Sequence, residues 1–209
     1  MNGRQCNRVP AKLCGKGLRS KNAQKQFAVN HLGHFILINQ RLKSILASTQ
    51  GRFTLLSSRA HGRVEQGIEF DNLDGSKHYG PWDAYGVSKL ANALCARELA
   101  TRISHTEATS NSVQPGVIAT GLLKNLSVWE QGGAKYLAWA FLKTIPEGAA
   151  TTCYVATGPE LIDVRGFYFA DCNVEKDVSP YLEDDVMAAK LWKVSEALTE
   201  DYLSDNQEA

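Results

Sequence analysis

Gly51-Arg-Phe-Thr-Leu-Leu-Ser-Ser58, followed after a long connection by Pro81-Trp-Asp-Ala-Tyr-Gly-Val-Ser-Lys89-Leu-Ala-Asn92, is the stretch whose reading decides the fold. Gly51 interrupts a preceding helical pattern, and Phe53-Thr54-Leu55-Leu56 reads as a short buried strand that delivers Ser57 and Ser58 at its C-terminal end. Loop follows to about Gly80. Pro81, with its φ preset for a first turn, opens a helix in which Val87, Leu90, Ala91 and Leu94 share one face, running to about Arg102.

Outward from this unit the same alternation continues. Upstream, Leu32, Phe35, Leu42, Ile45 and Leu46 recur at helical spacing from Gln26 onward, opposite a polar face of Gln40, Arg41 and Lys43. Downstream, Asn111 to Gln114 reads as a strand stopped by Pro115-Gly116. A helix is expected from Glu147 to Ala156, a strand around Phe167-Tyr168-Phe169, and a last helix carrying Met187, Leu191, Val194 and Leu198. Strands alternating with helices imply an α/β fold, a Rossmann-like parallel sheet with flanking helices, and a ligand crevice beyond the strands' C-terminal ends.

The bulk numbers fit one domain. The chain has 209 residues, of which 44% are hydrophobic, enough for one well-buried core and too few for two comfortable ones. A formal net charge of +1 argues against a nucleic-acid partner. The charge is unevenly placed: every acidic residue lies at Glu65 or later, while Arg4, Arg8, Lys12, Lys16, Arg19, Lys21 and Lys25 crowd the start. Residues 1–24 therefore read as a basic segment, either a solvated lead-in or a patch for a membrane or another anionic partner. The rest, 25–209, reads as the folded portion. Five cysteines without a C-x-x-C pair suggest neither a disulfide framework nor a zinc knuckle, and a reducing compartment fits. No stretch has the run of about 18 apolar residues of a membrane-spanning helix, and no signal peptide is evident. A cytoplasmic or membrane-peripheral location is expected.

Chemistry enters through Tyr85 and Lys89. Residues four apart on a helix lie one turn above each other, so the two side chains share a site. A phenol titrates near pH ~10 alone, and an adjacent ammonium favours its phenolate, which makes Tyr85 a candidate proton donor and acceptor. Ser58, at the end of the preceding strand, faces the same crevice. His31 and His34 have a spacing that offers two metal ligands on one helix, but no further ligand set is evident, and no metal site is assigned.

Leu56-Ser-Ser58, then Tyr85-Gly-Val-Ser-Lys89-Leu-Ala-Asn92, then Pro115-Gly-Val-Ile-Ala-Thr120, in this order, strongly resemble the short-chain dehydrogenase/reductase family. Phe27-Ala-Val-Asn30-His-Leu-Gly-His-Phe35 and Ala189-Lys-Leu-Trp-Lys-Val-Ser-Glu196 look more narrowly like its retinol dehydrogenase and WW-domain oxidoreductase branch. The resemblance covers residues 25 to 200. It implies a catalytic set of Asn30, Ser58, Tyr85 and Lys89. Tyr85 would be the acid/base, Ser58 would orient the substrate oxygen, Lys89 would act on Tyr85 and touch the nicotinamide ribose, and Asn30 would hold a water linking Lys89 to solvent. Tyr85, Lys89, Pro115, Gly116 and Thr120 would contact the cofactor, NADP or NAD, and no metal is required.

The implied substrate is a small alcohol, aldehyde or ketone. Leu122, Leu123, Trp129, Tyr136, Trp139 and Phe141 suggest either an apolar pocket for a lipophilic one or ordinary core. A glycine-rich phosphate-binding turn is missing: Gly15-Lys-Gly-Leu-Arg-Ser20 lacks the third glycine and follows no buried strand. The chain thus resembles the C-terminal portion of the family fold, about three strands without the N-terminal dinucleotide-binding strands, and an exposed apolar edge at Phe53 to Leu56 is expected. The competing function is a catalytically inactive interaction or scaffold protein. Its helices at 26–46 and 82–102 would form a pairing surface in a homo-oligomer.

Overall fold

The computed structural model describes residues 23–118, 143–176 and 179–203. Helix α1 (Ala23–Phe27) runs through a π-helical turn (Ala28–Leu32) into α2 (Gly33–Leu46). Strand β1 (Arg52–Leu56) leads through a short 3-10 turn (Arg59–Arg63) and a loop to α3 (Pro81–Arg102). Then come β2 (Thr109–Gln114), α4 (Ile145–Thr157), the short strands β3 (Tyr168–Ala170) and β4 (Asn173–Val174), and α5 (Asp185–Leu203). The sheet order is β1-β2-β3-β4; β1 to β3 are parallel and β4 is antiparallel to β3. The expected mainly parallel α/β sheet is present.

Alternate residues of the strands are covered on the two faces by different helices. Phe53 and Leu55 of β1 pack with Phe35, Ala96, Leu99 and Trp192, from α2, α3 and α5. On β3, Tyr168 joins the cluster of α3 and α5, whereas its neighbour Phe169 turns to Val155 of α4 and Leu161. Helix α3 is the centre of the packing. The sequence assigns it one apolar face, but Leu90 to Ala96 are all buried, because α1, α5 and the sheet enclose it on several sides. Small residues make this enclosure possible: Ala91, Ala93 and Ala96 let neighbouring backbones approach.

Several boundaries differ from the sequence reading. Helix α4 begins at Ile145 rather than Glu147, because Thr144 and Glu147 form a reciprocal capping box behind Pro146. The strand expected at 167–169 lies one residue later, and β4 was not foreseen. Asp171 and Cys172, with φ of 51° and 60°, form the two-residue turn that folds β4 back onto β3. Among the described residues β1 pairs only with β2, so one edge of the sheet is open there. Of the apolar residues expected along it, Leu56 is 45% exposed, but Phe53 and Leu55 are buried beneath α2 and α3. The basic start at residues 1–22 and the aromatic segment at 119–142 lie outside the described residues.

Candidate functional site

The C-terminal ends of β1 and β2 and the first turns of α3 meet at one place. Beyond Leu56, Ser57 extends the ladder by donating its N–H to the Val113 carbonyl at 2.7 Å, and its hydroxyl donates to the Lys89 carbonyl at 2.7 Å. This pins the strand end to α3. Ser58 then turns the chain: its Oγ accepts the Ala60 N–H at 3.3 Å, and its carbonyl accepts from His61 Nδ1 at 2.5 Å. The turn lies directly on α3 because residue 86 is glycine. A Cβ there would stand 2.7 Å from the Ala60 carbonyl oxygen.

Tyr85 and Lys89 are both half-buried on the next face of α3. The Lys89 ammonium lies 5.6 Å from the centroid of the Tyr85 ring, so the i, i+4 pair does share a site. Lys89 Nζ donates to the Leu56 carbonyl at 3.3 Å, and desolvation lowers its pKa from the ordinary lysine value. Asn92 Nδ2 donates to the same carbonyl at 2.9 Å. The Tyr85 hydroxyl makes no hydrogen bond to the described residues. Nearby, the Tyr168 hydroxyl donates to Gln114 Oε1 at 3.0 Å, and its phenol is raised above the usual tyrosine range, mainly by burial.

Asn30 reaches this region from the π-helical turn. The wide turn, closed by the Gly33 N–H on the Ala28 carbonyl, inserts one extra residue into the helix. Asn30 Nδ2 donates to Ser88 Oγ at 3.1 Å, and Ser88 donates onward to the Tyr85 carbonyl at 2.8 Å. Asn30 is thus tied through Ser88 to the backbone of Tyr85. The adjacent His31 is buried and contacts Asn92, whereas His34 is exposed and donates to the Asn30 carbonyl at 2.7 Å. The two histidines point to different surroundings. Among the described residues no cluster of three His, Cys, Asp or Glu is arranged to hold a metal.

Pro115 and Gly116 follow β2 at the same end of the sheet. Gly116 has φ of +87°, a left-handed conformation, and a Cβ there would lie 2.6 Å from Lys143 Cδ. Thr120 lies outside the described residues, with Leu122, Leu123, Trp129, Tyr136, Trp139 and Phe141. Sequence reading gave no role to Ser88, Gly86 or Asn92. A signal existed for two of them, since Ser88 and Asn92 repeat the four-residue spacing of Tyr85 and Lys89 one face further round.

Among the described residues, the two larger concavities that border α3 are a groove and a cleft. An apolar groove of about 320 Å³ runs along the open edge of β1, lined by Leu37, Ile38, Phe53, Leu55 and Leu56, with Arg41 and Arg52 at its margin. A cleft of about 420 Å³ lies between the 63–80 loop and Asp83, Ala84 and Val87, on the side of α3 away from Tyr85 and Lys89. Neither is bounded by the Tyr85 hydroxyl.

No protein-family model matches the chain. It is 41% identical over 204 residues to the short-chain dehydrogenase TIC 32 A, chloroplastic, of Brassica napus, matching 93% of this chain and 62% of that protein. It is 38% identical over 177 residues to human retinol dehydrogenase 14, matching 84% of this chain and 52% of that protein. Among solved structures it resembles an uncharacterized protein from Mycobacterium paratuberculosis, with a TM-score of 0.54 and 29% identity, over 84% of this chain and 59% of that one. The chain therefore spans between half and two thirds of the length of these relatives.

Proposed function

We propose that this chain, a member of the short-chain dehydrogenase/reductase family, carries the proton-transfer centre of an oxidoreductase acting between NAD(P)(H) and a small, lipophilic alcohol or carbonyl compound. The observation that carries the reading is the Lys89 ammonium beside the Tyr85 ring at the end of β1, with Ser58 on the adjoining turn. Tyr85 gives a proton to a carbonyl oxygen on reduction and takes it from the alcohol on oxidation. Lys89 favours the negative charge that develops on the Tyr85 oxygen. The Ser58 hydroxyl accepts one hydrogen bond from Ala60 and keeps its proton for the substrate oxygen. Asn30 steadies the first turns of α3 through Ser88, and its role as a water holder belongs to the same reading.

The donor set fits the nicotinamide end of the cofactor. Lys89 has one N–H on the Leu56 carbonyl and two more for the ribose hydroxyls, and the Tyr85 hydroxyl beside it makes no hydrogen bond to the described residues. Pro115, Gly116 and Thr120 supply the backbone and hydroxyl around the carboxamide. When bound, the nicotinamide supplies or accepts the hydride. The described residues contain no glycine-rich turn for the pyrophosphate, so affinity for NADPH and NADH is expected to be weak, and the choice between them is not encoded in these residues.

Calorimetric titration of the folded chain with each nucleotide, paired with turnover of a retinoid or other lipophilic aldehyde, tests this reading. Binding that supports turnover, lost in Tyr85→Phe without a change in melting temperature, is expected. A folded chain that ignores both nucleotides at millimolar concentration would refute it. The β1 edge, unpaired among the described residues and flanked by exposed Leu37 and Leu56, favours a second reading, an interaction protein that pairs through this face. A monomer by size-exclusion chromatography that turns over substrate excludes it. No helix among the described residues is long and apolar enough to cross a membrane, and a cytoplasmic or membrane-peripheral site of action is proposed.

A further inference from the structure

His31 and Asn92 have no part in the chemistry just described, yet they are almost wholly buried beside it, at 1% and 2% exposure. The His31 ring lies between Phe27 and Phe35, with ring centroids 4.9 and 6.1 Å away. A leucine would pack there without the cost of desolvating an imidazole, so the imidazole's two nitrogens need an account. Nδ1 lies 3.3 Å from Asn92 Oδ1, and Nε2 lies 2.8 Å from Ser195 Oγ on α5.

The direction of every bond follows from the far end of this chain of contacts. The Leu56 carbonyl only accepts, so the Asn92 amide must turn its nitrogen to it, at 2.9 Å. That leaves Oδ1 facing His31. An amide oxygen also only accepts, so the hydrogen of a neutral His31 sits on Nδ1. Nε2 then offers a lone pair, which the Ser195 hydroxyl can satisfy. Ser195, buried on α5, thereby satisfies the second ring nitrogen from behind, while the tautomer itself is set by the Asn92 oxygen.

The consequence falls on Lys89. The Leu56 carbonyl has two lone pairs; Asn92 occupies one, and Lys89 Nζ approaches the carbonyl at 3.3 Å. If the amide turned over, two acceptor oxygens would confront each other and Lys89 would gain a second acceptor to follow. The π-helical turn makes the arrangement possible. Consecutive residues Asn30 and His31 reach Ser88 and Asn92, which stand one turn apart on α3.

We propose that His31 is a positioning residue for Lys89 that acts through Asn92: its Nδ1–H locks the Asn92 amide, and the locked amide leaves Lys89 one seat on the Leu56 carbonyl, beside Tyr85. This rests on the reading of Tyr85 and Lys89 as the redox pair. It concerns residues of this chain alone, so it can be tested without cofactor or turnover.

Two substitutions divide the functions of the ring. His31→Asn keeps a donor near the Nδ1 position, facing Asn92, and loses the contact with Ser195. His31→Gln keeps an acceptor near the Nε2 position, facing Ser195, and loses the donor to Asn92. The readout is the pH dependence of Lys89 acetylation by acetic anhydride, followed by mass spectrometry on the full chain. His31→Asn should leave Lys89 like wild type. His31→Gln should raise its apparent pKa by about half a unit, so that it labels about threefold more slowly near neutral pH. Equal effects of both substitutions, or none from either, would overturn the proposal, because a purely structural role predicts changes that track stability.

A second measurement needs no substitution. The 15N shifts of histidine-labelled wild type at pH 7 should show His31 as the Nδ1–H tautomer, and an Nε2–H tautomer overturns the proposal even if neither variant folds. Failure of the oxidoreductase reading would be seen separately, as a wild-type chain without nucleotide binding. That result leaves both measurements on His31 and Lys89 unchanged.

Discussion

Acidification from pH 7 towards 4 is expected to weaken this fold through His31. Its imidazole is fully enclosed, and desolvation lowers its pKa from 6.5 to about 4; the hydrogen bond with Asn92 opposes the shift and the nearby His34 adds to it. The folded value lies below the unfolded one, so the unfolded chain takes up the proton first as pH falls. The contribution is complete above pH 6.5, declines between 6.5 and about 4, and is gone below. At about 1.4 kcal/mol per pH unit, this gap corresponds to roughly 3 kcal/mol, a large part of a typical domain's stability of about 5–15 kcal/mol. His61, also lowered by burial, acts in the same direction, so the measurement must be differential. Urea unfolding followed by circular dichroism, at steps from pH 7.5 to 4, should show wild type losing about 3 kcal/mol more than His31→Asn, whose amide does not titrate. Parallel stability curves for the two proteins across that window would refute the buried, neutral imidazole.

Gly86→Ala should destabilise the chain by about 1–3 kcal/mol, since its Cβ would meet the Ala60 backbone oxygen at 2.7 Å and push the Ser58 turn off α3. A thermal shift reads the loss, and an unchanged melting temperature would mean the turn does not pack there. Thr144→Ala removes one half of the capping box of α4 and should cost about 1 kcal/mol in urea unfolding, with Thr144→Ser restoring most of it. Failure of serine to rescue would place the effect outside the cap.

Much of the site was legible because it rests on local geometry. The four-residue spacing of Tyr85 and Lys89 becomes a shared face on any α-helix, and Pro81 marks the start of that helix by its own dihedral. The strand at Phe53 to Leu56 and the stop at Pro115 were likewise written in short apolar and breaker signals. Strand β2 was harder to read. Its Thr-Ser-Asn-Ser-Val-Gln run is polar but wholly buried, and partners distant in sequence satisfy the Asn111 and Gln114 side chains. Asn111 donates to the Val164 carbonyl at 2.7 Å and accepts from the Phe167 N–H at 3.0 Å. Nothing within the six residues announces those partners.

The π-helical turn shows the same limit more sharply. Ala28 to Leu32 carries no local instruction for a wide turn, and the spacing of His31 and His34 does not say what either ring touches. Packing decides both. The turn is held where Asn30 meets Ser88 and His31 meets Asn92 and Ser195, contacts that exist only once α1, α3 and α5 have come together. By itself, then, the sequence determined which side chains share the candidate face of α3 and which elements carry them, since helical and strand periodicity act over a few residues. Only the tertiary structure decided how Lys89 is aimed, because that direction depends on one carbonyl and one amide whose orientation is set by residues some sixty and a hundred positions away.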